Sequence, residues 1–92
     1  MTATTNDLVL AELRERINEL ESNIKNKEAR DYLLDLAKKF LGDALGYNHT
    51  GRDAETQSAM WVVRSHVENA EKMLGRYGPN LQIVGGGTAA SG

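Results

Sequence analysis

Apolar residues recur in steps of three and four along the first quarter of the chain, at Leu10, Leu13, Ile17, Leu20 and Ile24. Steps of that size put side chains on one face of a helix, at the a and d positions of a heptad. The intervening positions are mostly charged. Glu12 precedes Arg16 by four residues, and Glu21 precedes Lys25 by four, the order that favours pairing along a helix surface. Thr4, Thr5, Asn6 and Asp7 each carry a side chain able to accept a hydrogen bond from a free amide at the helix start. The spacing therefore predicts a helix with one narrow buried seam and a solvated back.

The pattern lapses over Ser22 to Lys27 and resumes at Leu33, Leu36, Ala37, Phe40, Leu41, Ala44 and Leu45. At about 100° per residue, Leu33 lies half a turn around from Ile24, and Phe40 and Ala44 fall near the same opposite side. One straight helix cannot aim both stripes at one core. The phase predicts a break near Asn26 and a second helix from Glu28 to Leu45. The competing arrangement is a single unbroken helix with a partner on each side, since no Pro or Gly interrupts residues 22–28.

Gly46 to Arg52 reads as a loop, with Gly46 in the left-handed position after a helix and Thr50 and Asp53 spaced as a capping pair. A third helix then carries a seam at Met60, Val63, Val67, Ala70, Leu74 and Tyr77, widened by Ala59, His66 and Met73, and extends for roughly 37 Å. Gly78 and Pro79 end it. Domain organisation follows: a helical bundle over residues 1–78 and a short tail over residues 79–92. In the tail an apolar piece, Leu81 to Val84, is suited to docking on a helix or adding to a partner's strand. Residues 85–92 have the composition of a flexible linker.

Ninety-two residues allow one domain. A chain that short buries only about 60–65% of its unfolded surface, and with no cysteine it has neither a disulfide nor a cysteine-held metal to reinforce it. Self-association is the remaining device, so the fold expected is all-α, a three-helix bundle that dimerises. A net charge of −2 provides no field for polyanions or anionic membranes. The N-terminus lacks the basic and apolar regions of a secretory signal, and no run approaches the ~18 apolar residues of a membrane span. The expected location is cytoplasmic, and no membrane partner is expected.

Ala59-Met60-Trp61-Val62-Val63 is apolar all the way round a helix, and such a stretch requires burial on both sides. Either Trp61 anchors an interface with a second subunit or another protein, or the second helix covers it within the chain. On the first alternative the interface is Met60, Trp61, Val62, Val63, Val67, Leu74 and Tyr77. The loop offers Tyr47, Asn48, His49 and Arg52 as further contact residues.

Other chemistry is thin. His66 lies beside the third seam near Glu68 and Glu71, but neither Glu28 nor Glu68 is followed by His three residues on, as a ferritin-like metal site requires. Gly46 and Gly51 have the spacing of a phosphate-binding loop, yet Arg52 and Asp53 follow where Lys and Ser or Thr are needed. No metal or other cofactor is expected. Asn48-His49-Thr50 is a glycosylation acceptor that matters only in a secreted protein.

Leu10, Leu13, Arg14 and Ile17 resemble the opening of the all-helical chorismate mutases, in which a Leu-Arg-x-x-Ile segment lies on the first long helix. The resemblance implies that Arg14 contacts a substrate carboxylate. It covers about a dozen residues. Asn18 stands where that family has Asp, and no later segment supplies the family's lysine and Arg-Glu motifs. For DNA, a helix-turn-helix needs a turn of about 3–4 residues, shorter than the loop expected here. Lys25, Lys27, Arg30, Lys38 and Lys39 form a modest basic zone interrupted by Glu28, Asp31 and Asp35. The reading that results is a non-enzymatic interaction and oligomerisation module: an adaptor, inhibitor or assembly component, of a size found among bacterial and phage accessory proteins. A regulator touching nucleic acid through the basic zone comes second, and a chorismate-mutase-like enzyme third.

Overall fold

The computed structural model describes residues 4–84 and 88–89. Three helices, α1 (Thr5–Asn23), α2 (Lys27–His49) and α3 (Asp53–Tyr77), pack around one core, so the fold is the all-α three-helix bundle that the periodicity predicts. Two two-residue strands follow, β1 (Ile83–Val84) and β2 (Thr88–Ala89), paired antiparallel. The linker character expected of residues 85–92 otherwise falls outside the described residues.

Thr4 and Asp7 start α1 by a reciprocal pair of bonds. The Asp7 amide donates to Thr4 Oγ1 at 3.1 Å, and the Thr4 amide donates to Asp7 Oδ2 at 3.0 Å. The bond from the Thr4 amide, followed by one that Asn48 donates to Asp7 Oδ1, holds the Asp7 carboxyl below its ordinary value. At the other end the chain turns extended at Ile24 and Asn26 (ψ 112 and 118), and the Asn26 side chain accepts the Ala29 amide at 3.0 Å to start α2. The break lies where the phase requires it. Reversing the chain there lets two stripes half a turn apart face one core.

The second connection is shorter than expected. α2 continues through Gly46 to His49, and the left-handed residue is Gly51 (φ 76), further along the chain. The Arg52 amide donates to Tyr47 O at 2.9 Å and the Gly51 amide to Asn48 O at 3.2 Å. These are the two bonds of a Schellman closure. Thr50 belongs to that closure as well, its hydroxyl donating to Gly46 O and Tyr47 O. It does not cap α3, whose N-cap is Arg52 with no side-chain bond.

α2 and α3, joined by so short a turn, lie antiparallel and form the most extensive helix interface. Ala29, Ala37 and Ala44 on α2, with Ala59 and Ala70 on α3, are buried small residues that let the two backbones approach. α1 adds its whole seam, Leu10, Leu13, Ile17, Leu20 and Ile24, to the same core. Leu81 completes the open end at 4% exposure, where the Lys25 amide also donates to Pro79 O at 2.7 Å. The chain beyond Gly78 is thus fastened to the bundle at least through Leu81.

Of the two pairings expected along α1, Glu12–Arg16 is present and Glu21 turns instead to another helix. Glu21 bonds Lys38 of α2. Arg16, 3.8 Å from Glu12, makes its closer contacts to Glu71 of α3 through a two-point bridge, Nε to Oε2 at 2.9 Å and Nη2 to Oε1 at 2.6 Å. Those hydrogen bonds, against the opposing effect of burial, hold the Glu71 carboxyl below its ordinary value of 4.5. A carboxylate with a depressed folded value contributes stability that is complete above its unfolded value and disappears as pH falls through the folded one. Because both groups are partly solvated, Arg16→Ala is expected to cost about 1 kcal/mol at neutral pH. In thermal unfolding, the gap between parent and variant should close as pH drops from about 5 toward 2. A gap independent of pH would refute this assignment.

Candidate functional site

The core stripe of α3 is Thr56, Ala59, Met60, Val63, Val67 and Ala70. Three of the residues expected at an interface, Met60, Val63 and Val67, are therefore enclosed within the chain itself, at 5%, 0% and 0% exposure. Leu74 is half-buried against the same core. That leaves Trp61, Val62 and Tyr77 with substantial surface. Trp61 is 71% exposed, so α2 does not cover it. Two residues before Val63 is about 200° around the helix, and its neighbours one turn away are Gln57, Ser58, Arg64 and Ser65. Trp61 is a single ring on an otherwise polar face.

A more continuous apolar surface lies elsewhere. Tyr32, Leu36, Phe40 and Tyr47 follow one another along α2 at spacings of four, four and seven, which place them on one side of the helix. Tyr32 is 59% and Leu36 48% exposed, whereas Phe40 and Tyr47 are half-buried. On α3, Val62, His66 and Met73 share the adjoining side, all half-buried. Between Phe40 and Tyr47 on one helix and Val62 on the other lies a groove of 340 Å³, flanked by Asp43 and Glu55. α1 does not reach this side. Its polar partners on the hairpin, Lys38, Asn48, Asp53, Gln57 and Glu71, all belong to the opposite side of the α2–α3 pair.

Sequence reasoning assigned Leu36 and Phe40 to the core, and the burial of Phe40 partly agrees. A signal for the exposed side was nonetheless present. The apolar arc of α2, from Leu34 and Leu41 on one edge to Tyr32 on the other, spans about 200°. That is wider than the ~100° stripe an ordinary surface helix buries.

The remaining candidates separate. Tyr47, Asn48 and His49 stand in the last turn of α2 and not on a loop; Tyr47 packs on the core, Asn48 donates to Asp7 Oδ1 at 2.6 Å, and His49 and Arg52 are exposed. The basic zone is dispersed. Lys27 pairs with Asp31 at 2.9 Å and Lys38 with Glu21, while Lys39 is about 100° around α2 from Lys38. The turn between α2 and α3, at three residues, is within helix-turn-helix length, but the helices lie side by side without the steep crossing of that motif. Arg14 is exposed on a shallow groove with Asp7, Glu15 and Leu45, so the one cation there stands among two acids. Among the described residues no three His, Asp or Glu side chains converge on a point, and no helix is long and apolar enough to cross a membrane.

In comparisons with known proteins, the chain matches no family model, no curated protein and no solved structure.

Proposed function

We propose that this chain is a non-enzymatic protein–protein interaction module whose working surface is the side of the α2–α3 hairpin facing away from α1. The observation that carries this reading is the apolar row Tyr32, Leu36, Phe40, Tyr47, joined by Val62 across the groove. Scattered exposed apolar residues are ordinary on a protein surface; a contiguous strip rimmed by charge marks a binding face. A bundle of this size has reason to cover such a strip, since a fourth helical layer adds the burial that three helices lack. Adaptor, inhibitor and assembly roles all use a surface of this kind.

The test is a purification of the full chain from its own host at low and high salt. The parent chain should retain a protein in fixed stoichiometry, either another copy of itself or a different chain. Leu36→Glu, placed on the exposed strip and outside the core, should release it while helical circular dichroism stays unchanged. A parent that emerges as a solitary monomer, with Leu36→Glu indistinguishable from it, removes the proposal.

A further inference from the structure

The break between α1 and α2 interrupts the helix but not its heptad. The α1 seam, Leu10 to Ile24, continues past the break in unbroken three-and-four steps, through Lys27 and Asp31 to Leu34, Lys38, Leu41 and Leu45. The later residues of that row are the ones that face α1. Leu34 and Leu41 are buried, Lys38 bonds Glu21, and Leu45 borders a groove with Leu10. Asn48, the next step, donates to Asp7. α2 thus carries two adjoining stripes, this one for α1 and that of Leu33, Ala37 and Ala44 for the core with α3.

The connection itself has nothing that forbids a helix. Ile24, Lys25 and Asn26 include no Gly, no Pro and no positive φ, and the Ile24 amide already donates to Leu20 O at 2.9 Å, one turn back. What bends the chain is extended backbone, ψ 112 at Ile24 and 118 at Asn26. On straightening, the Lys25 and Ala29 amides leave Pro79 O and the Asn26 side chain for helical carbonyls. Thr5 to His49 then forms one helix about 68 Å long.

We infer that the chain exchanges α1 with a second copy: the straightened helix carries α1 onto the other copy's hairpin, and that copy's α1 returns the exchange across a twofold axis. The site itself sets the occupant, since the seat on the hairpin is already filled by α1 and receives the same helix from another chain. Every seam contact of the closed chain is remade between copies. Glu21 lies level with Lys38 and Asp7 with Asn48, and the same antiparallel register centres the dimer between Lys27 and Arg30. The seam positions newly brought together there are Lys27 and Asp31, and each Lys27 lies level with the other copy's Asp31. Lys25, Glu28 and Arg30 surround the same axis, so its charge is mixed and the apolar seam carries the association. The strip that includes Leu36 takes no part.

Lys27→Pro separates the two states. In the closed chain that position opens α2 after an extended Asn26, where proline is well accommodated. In the straightened helix it is interior, and proline breaks it. The parent, refolded from denaturant at millimolar concentration, should yield a dimer in sedimentation. Lys27→Pro should weaken that dimer about 100-fold or more and keep the helical circular dichroism of the parent. Asn26→Ala, which removes the side chain that caps α2, should strengthen it roughly tenfold.

A distance within one chain identifies the exchange. The chain has no cysteine, so Glu15→Cys and Asp43→Cys, both at exposed positions, take two spin labels without background. The labelled chain is refolded with excess unlabelled parent. The dimer should show about 42 Å between the labels, the span along one straight helix; the monomer, in which the two positions lie level, should show a much shorter distance. A dimer with the monomer's distance overturns the inference, as does a dimer that Lys27→Pro leaves unchanged or a parent that stays monomeric after refolding at millimolar concentration. Leu36→Glu should leave the exchanged dimer intact, so the fate of the interaction strip is read separately.

Discussion

Val63→Asp should unfold the chain, while Trp61→Asp, two residues away in the same apolar pentapeptide, should leave it intact. Val63 has no solvent exposure and sits in the central stripe of α3. A carboxylate placed there without a partner costs several kcal/mol, beyond the lost apolar burial. A domain of this size has only about 5–14 kcal/mol in total, so helical circular dichroism should collapse or melting should fall by more than about 20 °C. Trp61, at 71% exposure among polar neighbours, has no such environment to lose. Trp61→Asp should change stability by no more than about 0.5 kcal/mol. As the only tryptophan, Trp61 also provides an independent reading. Acrylamide should quench its fluorescence nearly as well in the folded chain as in denaturant. Strong protection of the indole in dilute monomeric protein would place Trp61 inside and sink the assignment.

The contrast between these two residues shows what periodicity conveys and what it omits. The seams at Leu10 to Ile24 and at Met60 to Tyr77 were legible because three-and-four spacing maps directly to one face of a helix; every residue of both is buried except Leu74, which is half-buried, and Tyr77, which is 53% exposed at the end of α3. The break at Asn26 was legible from phase, with no Gly or Pro needed. The second turn was not, because two glycines competed for one role. Gly46 has no backbone need for glycine and lies within α2, whereas Gly51 takes the positive φ. Only the hydrogen bonds of Thr50, Gly51 and Arg52 distinguish them. The candidate interface on α3 divides for a related reason: an apolar run around a helix signals two covered sides, and one of them, with Met60 and Val63, is taken by the chain's own core. What stays exposed is the edge of α2 left over after both α1 and α3 have packed, and finding it requires knowing on which side α1 lies. The bonds Arg16–Glu71 and Glu21–Lys38 supply that fact, and they join residues far apart in sequence.

Leu13→Ala should cost about 3 kcal/mol, within the 2–5 kcal/mol typical of a buried leucine truncated in a packed core. Leu13 is fully enclosed, and α1 meets the hairpin through one seam only, with polar contacts at its margins. Truncation has two possible structural outcomes, and chemical denaturation distinguishes them. If α1 stays docked over a cavity, the midpoint falls and the slope is unchanged, because the surface exposed on unfolding is the same. If α1 detaches, the native state already exposes its seam and the slope falls as well. The first outcome is expected, since Leu10, Ile17, Leu20 and Ile24 still hold the helix on either side of the gap, and the α2–α3 hairpin without α1 has too little buried surface to remain folded. Leu20→Ala, about 10 Å further along the same seam, should then add its own loss to within roughly 0.5 kcal/mol. A cost below about 1 kcal/mol for Leu13→Ala would mean that α1 contributes little to the core, and the side of the hairpin assigned to it would be open to a different partner.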